Sequence, residues 1–407
     1  MTDVVVIGGG PAGLACAIEL RRRGVEEVVV VEREATAGGI PRHSVHQGFG
    51  LRDLRRVMGG PTYARRYVEL AGRAGAQLLE EAMVTGWSPD GALELTSPAG
   101  RDALRPSAVV LATGCRERPR SARLVPGSRP EGVMTTATLQ QLVLRGLPVG
   151  SRALVVGAEH VSFSAVLTLA HAGAKVVAMT TELPRHQTLS VFRAGAALRY
   201  RFPVLTRTTV AAIHGPTLVE EVELLDLDNA GTRCLACDTV VFTADWIPDH
   251  ELAVSGRLEL DPGTRGPRAD AALRTTRPGT FAAGNVLHGA EPADIAALSG
   301  KHAAGSVARW LAGDGSWAPA IPIECAPPLH WIAPNAVSAG ADPPRGRFLL
   351  RSREFVRRAA IEIRQDGRPL WSGRVSLRPG RSTRLPCGWL TAVDAEAGPV
   401  EVSTRPS

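Results

Sequence analysis

Residues 38–50, GGIPRHSVHQGFG, contain side chains suited to proton transfer and to anion binding. Histidine has an unperturbed pKa of about 6.5 and exchanges protons near neutral pH, so His43 and His46 are candidate general bases. Arg42 is a candidate clamp for a carboxylate, because a guanidinium holds a carboxylate in a bidentate pair. The alternative is that the two histidines only line a pocket or hydrogen-bond a bound ring. The stretch has no cysteine, so it contains no dithiol.

The segment before this stretch has the pattern of a dinucleotide-binding strand–turn–helix–strand unit. In residues 3–34 an apolar run ends in glycines at positions 8, 10 and 13, and an amphipathic helix and a second apolar run follow. Glu32 ends that run about twenty residues past the last glycine, where an acid accepts the ribose hydroxyls. The first glycine permits the tight turn, the second admits the pyrophosphate, and the third allows close packing. The free N–H groups of the helix amino terminus attract phosphate. The cofactor contacts predicted here are Gly8, Gly10, Pro11, Ala12, Gly13, Glu32 and Arg33.

Two later segments complete a flavoprotein pattern. Residues 108–114, AVVLATG, and 279–285, GTFAAGN, form strands that end in glycine, and a helix is predicted over 292–311. This order resembles the two-dinucleotide-binding flavoprotein superfamily that contains glutathione reductase and thioredoxin reductase, over residues 3–312. The resemblance implies FAD, although Asn285 replaces an acid that the family uses there; its amide can still hydrogen-bond hydroxyls. Further implied contacts are Gly39, Ile40, Val84, Ala112, Thr113, Gly114, Gly284, Asn285 and Ala296.

The implied fold class is α/β, with two Rossmann-like dinucleotide-binding domains and a small carboxy-terminal β module. The FAD-binding domain is discontinuous, over residues 1–116 and 271–316, and the second nucleotide-binding domain covers 117–270. Beyond Pro319 the composition changes to clustered prolines and short alternating runs, which predict the β module at 320–407. Asp366-Gly367 between two such runs indicates a hairpin.

The second glycine unit, residues 152–182, departs from the nucleotide-binding pattern. When it is aligned on its first glycine, the second position holds Glu159, the third holds Ser162, and Thr181 stands at the ribose acid. A carboxylate at the second position adds bulk and like charge where a pyrophosphate must approach. The sequence therefore favours a retained fold without NAD(P)H. Arg185 and His186 leave open an NADPH site that reads the 2′-phosphate.

Three stretches resemble a narrower group, the flavoprotein subunits of heteromeric amine and amino-acid dehydrogenases, including opine oxidases and hydrogen cyanide synthase. They are GGIPRH with HQGFG, residues 112–141, and VVFTADWIPDHEL at 240–252. The resemblance implies a small amine or amino-acid substrate that loses a hydride next to nitrogen, with His43 or His46 taking up the amine proton. The chain is then either the subunit that oxidises this substrate or the electron-transfer component of the same enzyme. It also implies a second flavoprotein and a small iron–sulfur protein as partners. Two alternatives remain: a self-sufficient NAD(P)H-dependent flavin reductase or oxidase, and a scaffold that only holds FAD within a complex.

The charge and the cysteine content of the chain limit the classes of function that remain. The chain of 407 residues has a net charge of +7, and twelve arginines lie between Arg345 and Arg384. Aromatic residues make up only 4% and no nucleic-acid motif occurs, so we expect a solvated arginine-rich face or a surface for an acidic partner. The sequence contains no apolar run of eighteen residues, so no membrane span is predicted. The six scattered cysteines suit reduced thiols in the cytoplasm, and Cys325 and Cys387 alone cannot hold an iron–sulfur cluster, so no metal site is predicted.

Overall fold

The computed structural model describes residues 2–188, 199–289, 291–314, 317, 319–338 and 340–405. Its chain forms two compact units. The first comprises residues 1–42, 47–115 and 248–407, and the second comprises 43–46 and 116–247. Residues 248–270, which the sequence assigned to the second domain, group instead with the first unit. The reason is packing: Ala253, Leu258 and Ala269 are buried in the core of the first unit.

A parallel five-stranded sheet forms the centre of the first unit, with strands β1 (Val4–Ile7), β2 (Val28–Val31), β5 (Gln77–Leu79), β9 (Ala108–Leu111) and β20 (Thr280–Ala282). The order across the sheet is β20-β9-β1-β2-β5. Strands β1, β2 and β9 are uninterrupted apolar runs that are buried along their whole length, as is typical of a parallel sheet covered on both faces. Because β20 comes from the far end of the chain, this sheet is discontinuous in sequence.

The helices of the first unit are α1 (Pro11–Arg22), α2 (Gly60–Arg73), α5 (Glu251–Ser255) and α6 (Ala293–Leu311). Helix α1 begins with Pro11, a position where a missing N–H costs nothing. Helices α1 and α6 pack closely, since a Cβ added to Gly300 would lie 1.9 Å from the Ala12 carbonyl oxygen. Among the residues described, no helix combines the length and the apolar character that a membrane span requires.

Small antiparallel elements complete this part of the first unit: β3 (Gln47–Phe49), β4 (Met58–Gly59), β6 (Met83–Trp87), β7 (Leu93–Ser97) and β8 (Gly100–Leu104). The turn between β3 and β4 is anchored to α2 through Asp53. The phenol groups of Tyr63 and Tyr67 donate hydrogen bonds of 2.6 and 2.7 Å to its carboxylate.

The second unit repeats the strand–helix–strand plan. Its parallel strands are β11 (Val133–Thr135), β12 (Arg152–Val156), β13 (Lys175–Thr181), β14 (Val204–Thr206) and β18 (Thr239–Phe242). They follow the order β11-β18-β12-β13-β14. The other elements are α3 (Thr136–Leu144), α4 (His160–His171), an antiparallel sheet of β15 (Thr208–His214), β16 (Glu221–Asp226) and β17 (Thr232–Ala236), and a ribbon of β10 (Cys115–Glu117) and β19 (Trp246–Pro248). The predicted fold class is confirmed.

The carboxy-terminal module is an all-β part of the first unit with its own core. One sheet contains β21 (Ile321–Cys325), β23 (Ala336–Val337), β25 (Val356–Gln365), β26 (Arg368–Leu377) and β28 (Val400–Thr404), and the other contains β22 (Leu329–Ala333), β24 (Arg347–Ser352) and β27 (Thr383–Pro386). Asp366 and Gly367 have φ of +46° and +78°, as a two-residue hairpin turn requires. Trp389 is buried in the core, and Trp371 packs half-buried against it.

Candidate functional site

The glycine turn after β1 forms a cradle at the amino terminus of α1. Gly8 has a φ of +108°, and a Cβ there would lie 2.4 Å from the Ala112 carbonyl oxygen. A Cβ on Gly13 would lie 2.0 Å from the Gly8 carbonyl oxygen, so both positions exclude a side chain. Gly10 differs, because its Cβ would meet only the Gly39 Cα at 4.0 Å. The missing side chain at Gly10 therefore leaves open space at the helix start.

This open space suits a phosphate. Gly10 is the residue before the first turn of α1, and no side chain caps the helix there. The N–H groups of Ala12 and Gly13 belong to that first turn and attract a negative group, helped by the helix dipole. The local geometry thus fits the pyrophosphate of a dinucleotide such as FAD.

Glu32 lies at the end of β2, where the sequence placed the ribose acceptor. Its carboxylate is buried and accepts the N–H of Gly9 at 2.9 Å and the N–H of Glu34 at 2.9 Å. These bonds hold the carboxylate beside the glycine turn. The neighbouring Arg33 side chain is exposed, and its guanidinium lies 3.9 Å from the Asp249 carboxylate.

The segment after β9 and residue Val84 have mainly structural contacts. The Thr113 hydroxyl donates a 2.7 Å hydrogen bond to the Asp249 carbonyl, and the Gly114 carbonyl accepts the Asp249 N–H at 2.9 Å. Ala112 is buried and continues the pairing of β9 with β1. Val84 is buried in the core of the first unit, on β6. The contacts of these residues with FAD stay predictions.

Gly284, Asn285 and Ala296 lie where β20 leads into α6. The Gly284 N–H donates a 3.1 Å hydrogen bond to the Ser299 hydroxyl, and its φ of +76° is one that glycine adopts readily. A Cβ on Gly284 would lie 2.6 Å from the Ala12 Cβ and 3.6 Å from the Ala296 Cβ. This second backbone therefore approaches the start of α1 closely, next to the open space described above.

The amide of Asn285 is occupied within the protein. Its Nδ2 donates to the Glu291 carbonyl at 3.1 Å, and its Oδ1 accepts the Glu291 N–H at 3.2 Å. The side chain thus closes the loop before α6. The sequence had instead suggested hydrogen bonds from this amide to a cofactor hydroxyl.

The three candidate catalytic residues, Arg42, His43 and His46, lie within one short stretch of the chain. Gly39 precedes a short 3₁₀ turn, Ile40–His43, which contains Arg42 and begins with the exposed Ile40. The Arg42 guanidinium pairs with the Glu34 carboxylate and donates a 3.3 Å hydrogen bond from Nε to the Gly39 carbonyl. A carboxylate that Arg42 binds would therefore compete with Glu34 for the guanidinium.

His43 and His46 belong to the second unit, whereas Arg42 belongs to the first. Between them the buried Ser44 donates a 3.1 Å hydrogen bond to the Gln140 side-chain carbonyl. This bond holds the short segment to α3. The roles of His43 and His46 as bases, and of Arg42 as a clamp, stay predictions.

The second glycine turn is closed by the protein itself. Glu159 is the residue before the first turn of α4, and its carboxylate accepts the backbone N–H of Ser162. In return the Ser162 hydroxyl accepts the Glu159 N–H at 3.0 Å. The same hydroxyl lies 2.6 Å from the Thr243 hydroxyl. A carboxylate of the protein therefore occupies the helix terminus where a dinucleotide would place its phosphates.

Thr181 and Arg185 are the other residues near the second turn that were considered as nucleotide contacts. Thr181 is buried at the end of β13, and its hydroxyl accepts the Leu183 N–H at 3.3 Å. It serves a local turn and offers no carboxylate to a ribose. Arg185 is exposed and His186 is half-buried.

No disulfide joins the six cysteines, all of which lie in the described residues. Burial raises the pKa of Cys237 to about 11 and the pKa of Cys325 to about 12, so both are protonated at neutral pH. Cys234 is exposed on β17. Within the described ranges no group of three or more Cys, His, Asp or Glu side chains is arranged to hold a metal ion.

An ion pair at the start of α6 was not predicted from the sequence. Asp294 lies in the first turn with its side chain buried, and its carboxylate accepts hydrogen bonds from the Arg52 N–H at 3.2 Å and from the Arg52 guanidinium at 2.9 Å. An acid in the first helical turn is a recognisable signal, because it complements the dipole. Its partner is 242 positions away and has no local signal.

Comparisons with known proteins agree with this geometry. The chain belongs to the pyridine nucleotide-disulphide oxidoreductase family, whose model matches residues 2–300. The protein is therefore an FAD-dependent oxidoreductase, and the predicted cofactor and enzyme class are confirmed.

Individual relatives are distant. The chain is 28% identical over 290 residues to thioredoxin reductase of Treponema pallidum, which covers 70% of this chain and 88% of the relative. It is also 28% identical over 337 residues to one subunit of the opine oxidase of Agrobacterium tumefaciens, covering 74% of this chain and 64% of the relative. The fold is similar to that of Lactococcus lactis thioredoxin reductase, with a TM-score of 0.65 at 18% identity, over 77% of this chain and 100% of that structure. The predicted resemblance to both groups is confirmed.

Proposed function

We propose that this protein is the FAD subunit of an amine or amino-acid dehydrogenase, in which it oxidises the substrate. The observation that carries the proposal is the capping of α4 by Glu159, which fills the phosphate position of the second nucleotide site. A thioredoxin reductase-like enzyme would need electrons from a nicotinamide there and a dithiol to pass them on. Residues 38–50 contain no cysteine, and burial raises the pKa of Cys16, Cys237 and Cys325. The remaining electron donor is an organic substrate.

The residues of the chain divide the work of this reaction. When bound, FAD would supply a two-electron acceptor for the hydride of the C–H bond next to nitrogen, and the substrate would leave as an iminium ion that loses a proton to give the imine. The amino terminus of α1 holds the phosphates, and Glu32 holds the ribose. His43 or His46 takes the proton from the substrate ammonium group, because only the neutral amine can lose a hydride. Arg42 binds the substrate carboxylate in exchange for Glu34.

Partner subunits follow from the same relatives. The opine oxidase relative is, by name, one subunit of a larger enzyme, and we infer that this chain likewise works with a second flavoprotein and a small iron–sulfur protein. The free thiols suit a reducing compartment, and we place the complex in the cytoplasm.

A second candidate is an FAD-holding scaffold, with the chemistry in a partner. The observation that favours it is the carboxy-terminal module. Its exposed arginines on β25 and β26 and just beyond include Arg357, Arg358, Arg374 and Arg378, which form no ion pair within the described part of the chain. Such a face suits an acidic protein.

An anaerobic absorbance titration near the flavin band, at about 450 nm, tests the proposal. NADH and NADPH are added first to the purified FAD-loaded chain, followed by single amino acids and amines. We expect no bleaching by either nicotinamide and bleaching by at least one amine. Rapid bleaching by NADPH would contradict the proposal, and a flavin that only a partner protein makes reducible would favour the scaffold.

His43→Asn and His46→Asn refine the assignment of the base. The residue that acts as base should lose at least about tenfold in the rate of flavin reduction, with a loss that shrinks as pH rises and more free amine is present. His171→Asn, in the last turn of α4, is the matched control. Equal rates in all three variants would remove both histidines from the mechanism.

A further inference from the structure

A cleft lies within the first unit between α6 and the carboxy-terminal module. The space in it that admits a water-sized molecule is about 50 Å³, and the cleft is partly open to solvent. Leu287, Ile295 and Leu349 supply apolar lining, and His288 and Arg345 supply polar lining. A space of this size takes roughly three to five water molecules or one small organic group. Its mostly apolar walls with a few polar groups are typical of sites that bind small organic molecules.

The cleft adjoins the predicted cofactor site through one side chain. Ser299 lines the cleft, and its hydroxyl accepts the N–H of Gly284 at 3.1 Å. None of the residues assigned above to the phosphates, the ribose or the proton transfer lines it. The cleft is therefore a feature that the proposed reaction does not explain.

Arg345 brings surplus positive charge to the cleft. It lies in the turn Pro344–Gly346 with a φ of +62°, a left-handed conformation that is strained for a residue with a side chain. Its guanidinium is half-buried and pairs with no carboxylate in the ranges described. Burial lowers its pKa, and the nearby Arg347 and Arg384 lower it further, while Glu291 opposes them.

The charge on Arg345 therefore lacks a nearby full counter-charge. Glu291 is the acid that opposes the arginines, and its carboxylate already accepts a 2.5 Å hydrogen bond from the Ser382 hydroxyl. A partly buried cation among like charges is stabilised by an anion that pairs with it. A bound carboxylate would supply that charge and match the fork of the guanidinium.

His288 is a second polar group at the cleft without a full set of partners. Only 8% of the residue is exposed, and its ring packs on Trp331 with centroids 4.8 Å apart. Its Nδ1 is buried and has no hydrogen-bond partner within the described residues, although the Gly289 backbone lies near enough to interact with the ring. Buried polar atoms of this kind are uncommon, and a ligand is one explanation for them.

We propose that this cleft binds a small organic carboxylate with an aliphatic body. Arg345 pairs with the carboxylate, Nδ1 of His288 donates a hydrogen bond to it, and Leu287, Ile295 and Leu349 cover the aliphatic part. Binding to this cleft is measured without turnover. The test therefore does not depend on which molecule the flavin oxidises.

Calorimetric titration of the oxidised, FAD-loaded full chain tests the site with two probes of the same shape. Isovalerate carries the carboxylate, and isovaleramide replaces it with a neutral amide. We expect isovalerate to bind at least about tenfold more tightly, since a charge-assisted pair contributes roughly that much. Arg345→Gln should lower the affinity for isovalerate by a similar factor. Arg374→Gln, on the exposed side of β26, is the matched control and should leave the affinity unchanged.

Three results would overturn the inference: no saturable binding of isovalerate, equal affinity for the acid and the amide, or unchanged affinity in Arg345→Gln. If that variant does not fold, the acid and amide comparison on the natural sequence still decides. A chain that an amine bleaches but that binds no isovalerate overturns only this inference. A chain that binds isovalerate but is reduced by NADPH overturns only the proposed function.

Discussion

The two glycine units of this chain share a backbone plan and differ at the start of the helix. Gly8 follows β1 in the first glycine unit and Gly157 follows β12 in the second, with similar φ values of +108° and +121°. Gly10 then leaves the start of α1 without a side-chain cap, whereas Glu159 caps α4 with its own carboxylate. The positive end of each helix attracts a negative group: in the second unit this is a side chain, and in the first we expect it to be a phosphate of FAD.

One residue before the first turn therefore decides whether the helix terminus is open to a ligand or capped by the protein. A Cβ at Gly10 would meet little of the protein, so its absence serves the ligand. Glu159 forms a reciprocal cap with Ser162 and thereby stabilises the helix without a ligand. The residues at the ends of the second strands differ too. The Glu32 carboxylate lies beside the glycine turn and accepts the Gly9 N–H, whereas the Thr181 hydroxyl accepts the Leu183 N–H of a local turn.

The largest expected effect comes from making the first unit resemble the second. Gly10→Glu places a carboxylate at the phosphate position, and its charge and bulk should lower FAD affinity by roughly a hundredfold or more. The chain should stay folded, because the new Cβ meets only the Gly39 Cα at 4.0 Å. The ratio of flavin to protein absorbance after purification measures the loss. Gly72→Glu, in open space on α2, is the control; a Gly10→Glu protein with full flavin content would refute the assignment.

The reverse change should give a smaller effect. Glu159→Gly removes the carboxylate from the start of α4 and should raise affinity for NADPH about tenfold, as followed by nicotinamide fluorescence. The lost cap should also cost about 1 kcal/mol of stability. Glu159→Gln keeps the bulk without the charge and should recover much less affinity. If Glu159→Gly binds no more NADPH than the natural chain, the carboxylate is not what closes this turn.

A change at Asn285 tests whether the stability of the first unit depends on the loop before α6 as well as on the glycine turn. Asn285→Asp loses the donor to the Glu291 carbonyl and sets a charge beside it, which should cost about 1 to 3 kcal/mol. Thermal unfolding of the FAD-loaded protein measures this cost. An unchanged or higher melting temperature would mean that the carboxylate finds a better partner than the loop, as an acid does in the family.

The smallest effect concerns pH. Burial lowers the pKa of His288, so the folded protein keeps this imidazole neutral while the unfolded chain protonates it below about 6.5. Stability should therefore fall as pH drops below that value, by at most about 1.4 kcal/mol per pH unit for this group. His288→Phe, which keeps a ring against Trp331, should flatten the slope. Identical slopes in both proteins would assign the pH dependence to other groups.

The parts of the fold that were predicted correctly depend on local sequence patterns. The turn at Gly8, the helix after Pro11 and the buried apolar strands follow from residues close in the chain. The hairpin at Asp366 and Gly367 does so too, since the turn needs two positive φ values. Such features are set by backbone preferences over a few positions.

What the sequence did not predict depends on residues far apart or on a choice between partners. Asp294 is buried with Arg52, 242 positions away, and nothing local indicates that pair. Glu159 was expected only to repel a phosphate, and its reciprocal bonds with Ser162 were not anticipated. Arg42 was expected to be available to a carboxylate, and Glu34 already holds it. In each case a polar side chain found a protein partner that competes with the predicted one.

The order of the strands in the first unit has a consequence for biosynthesis. Strand β20 and helix α6 are needed beside β9 and α1, and both come from residues 280–311. Residues 116–247 of the second unit lie between these halves and are contiguous, so they can fold while the first unit still lacks its last strand. A ribosome must therefore release residue 311 before the cradle for FAD is complete. Cofactor loading is then a late event in synthesis, and chains that stall earlier should be colourless.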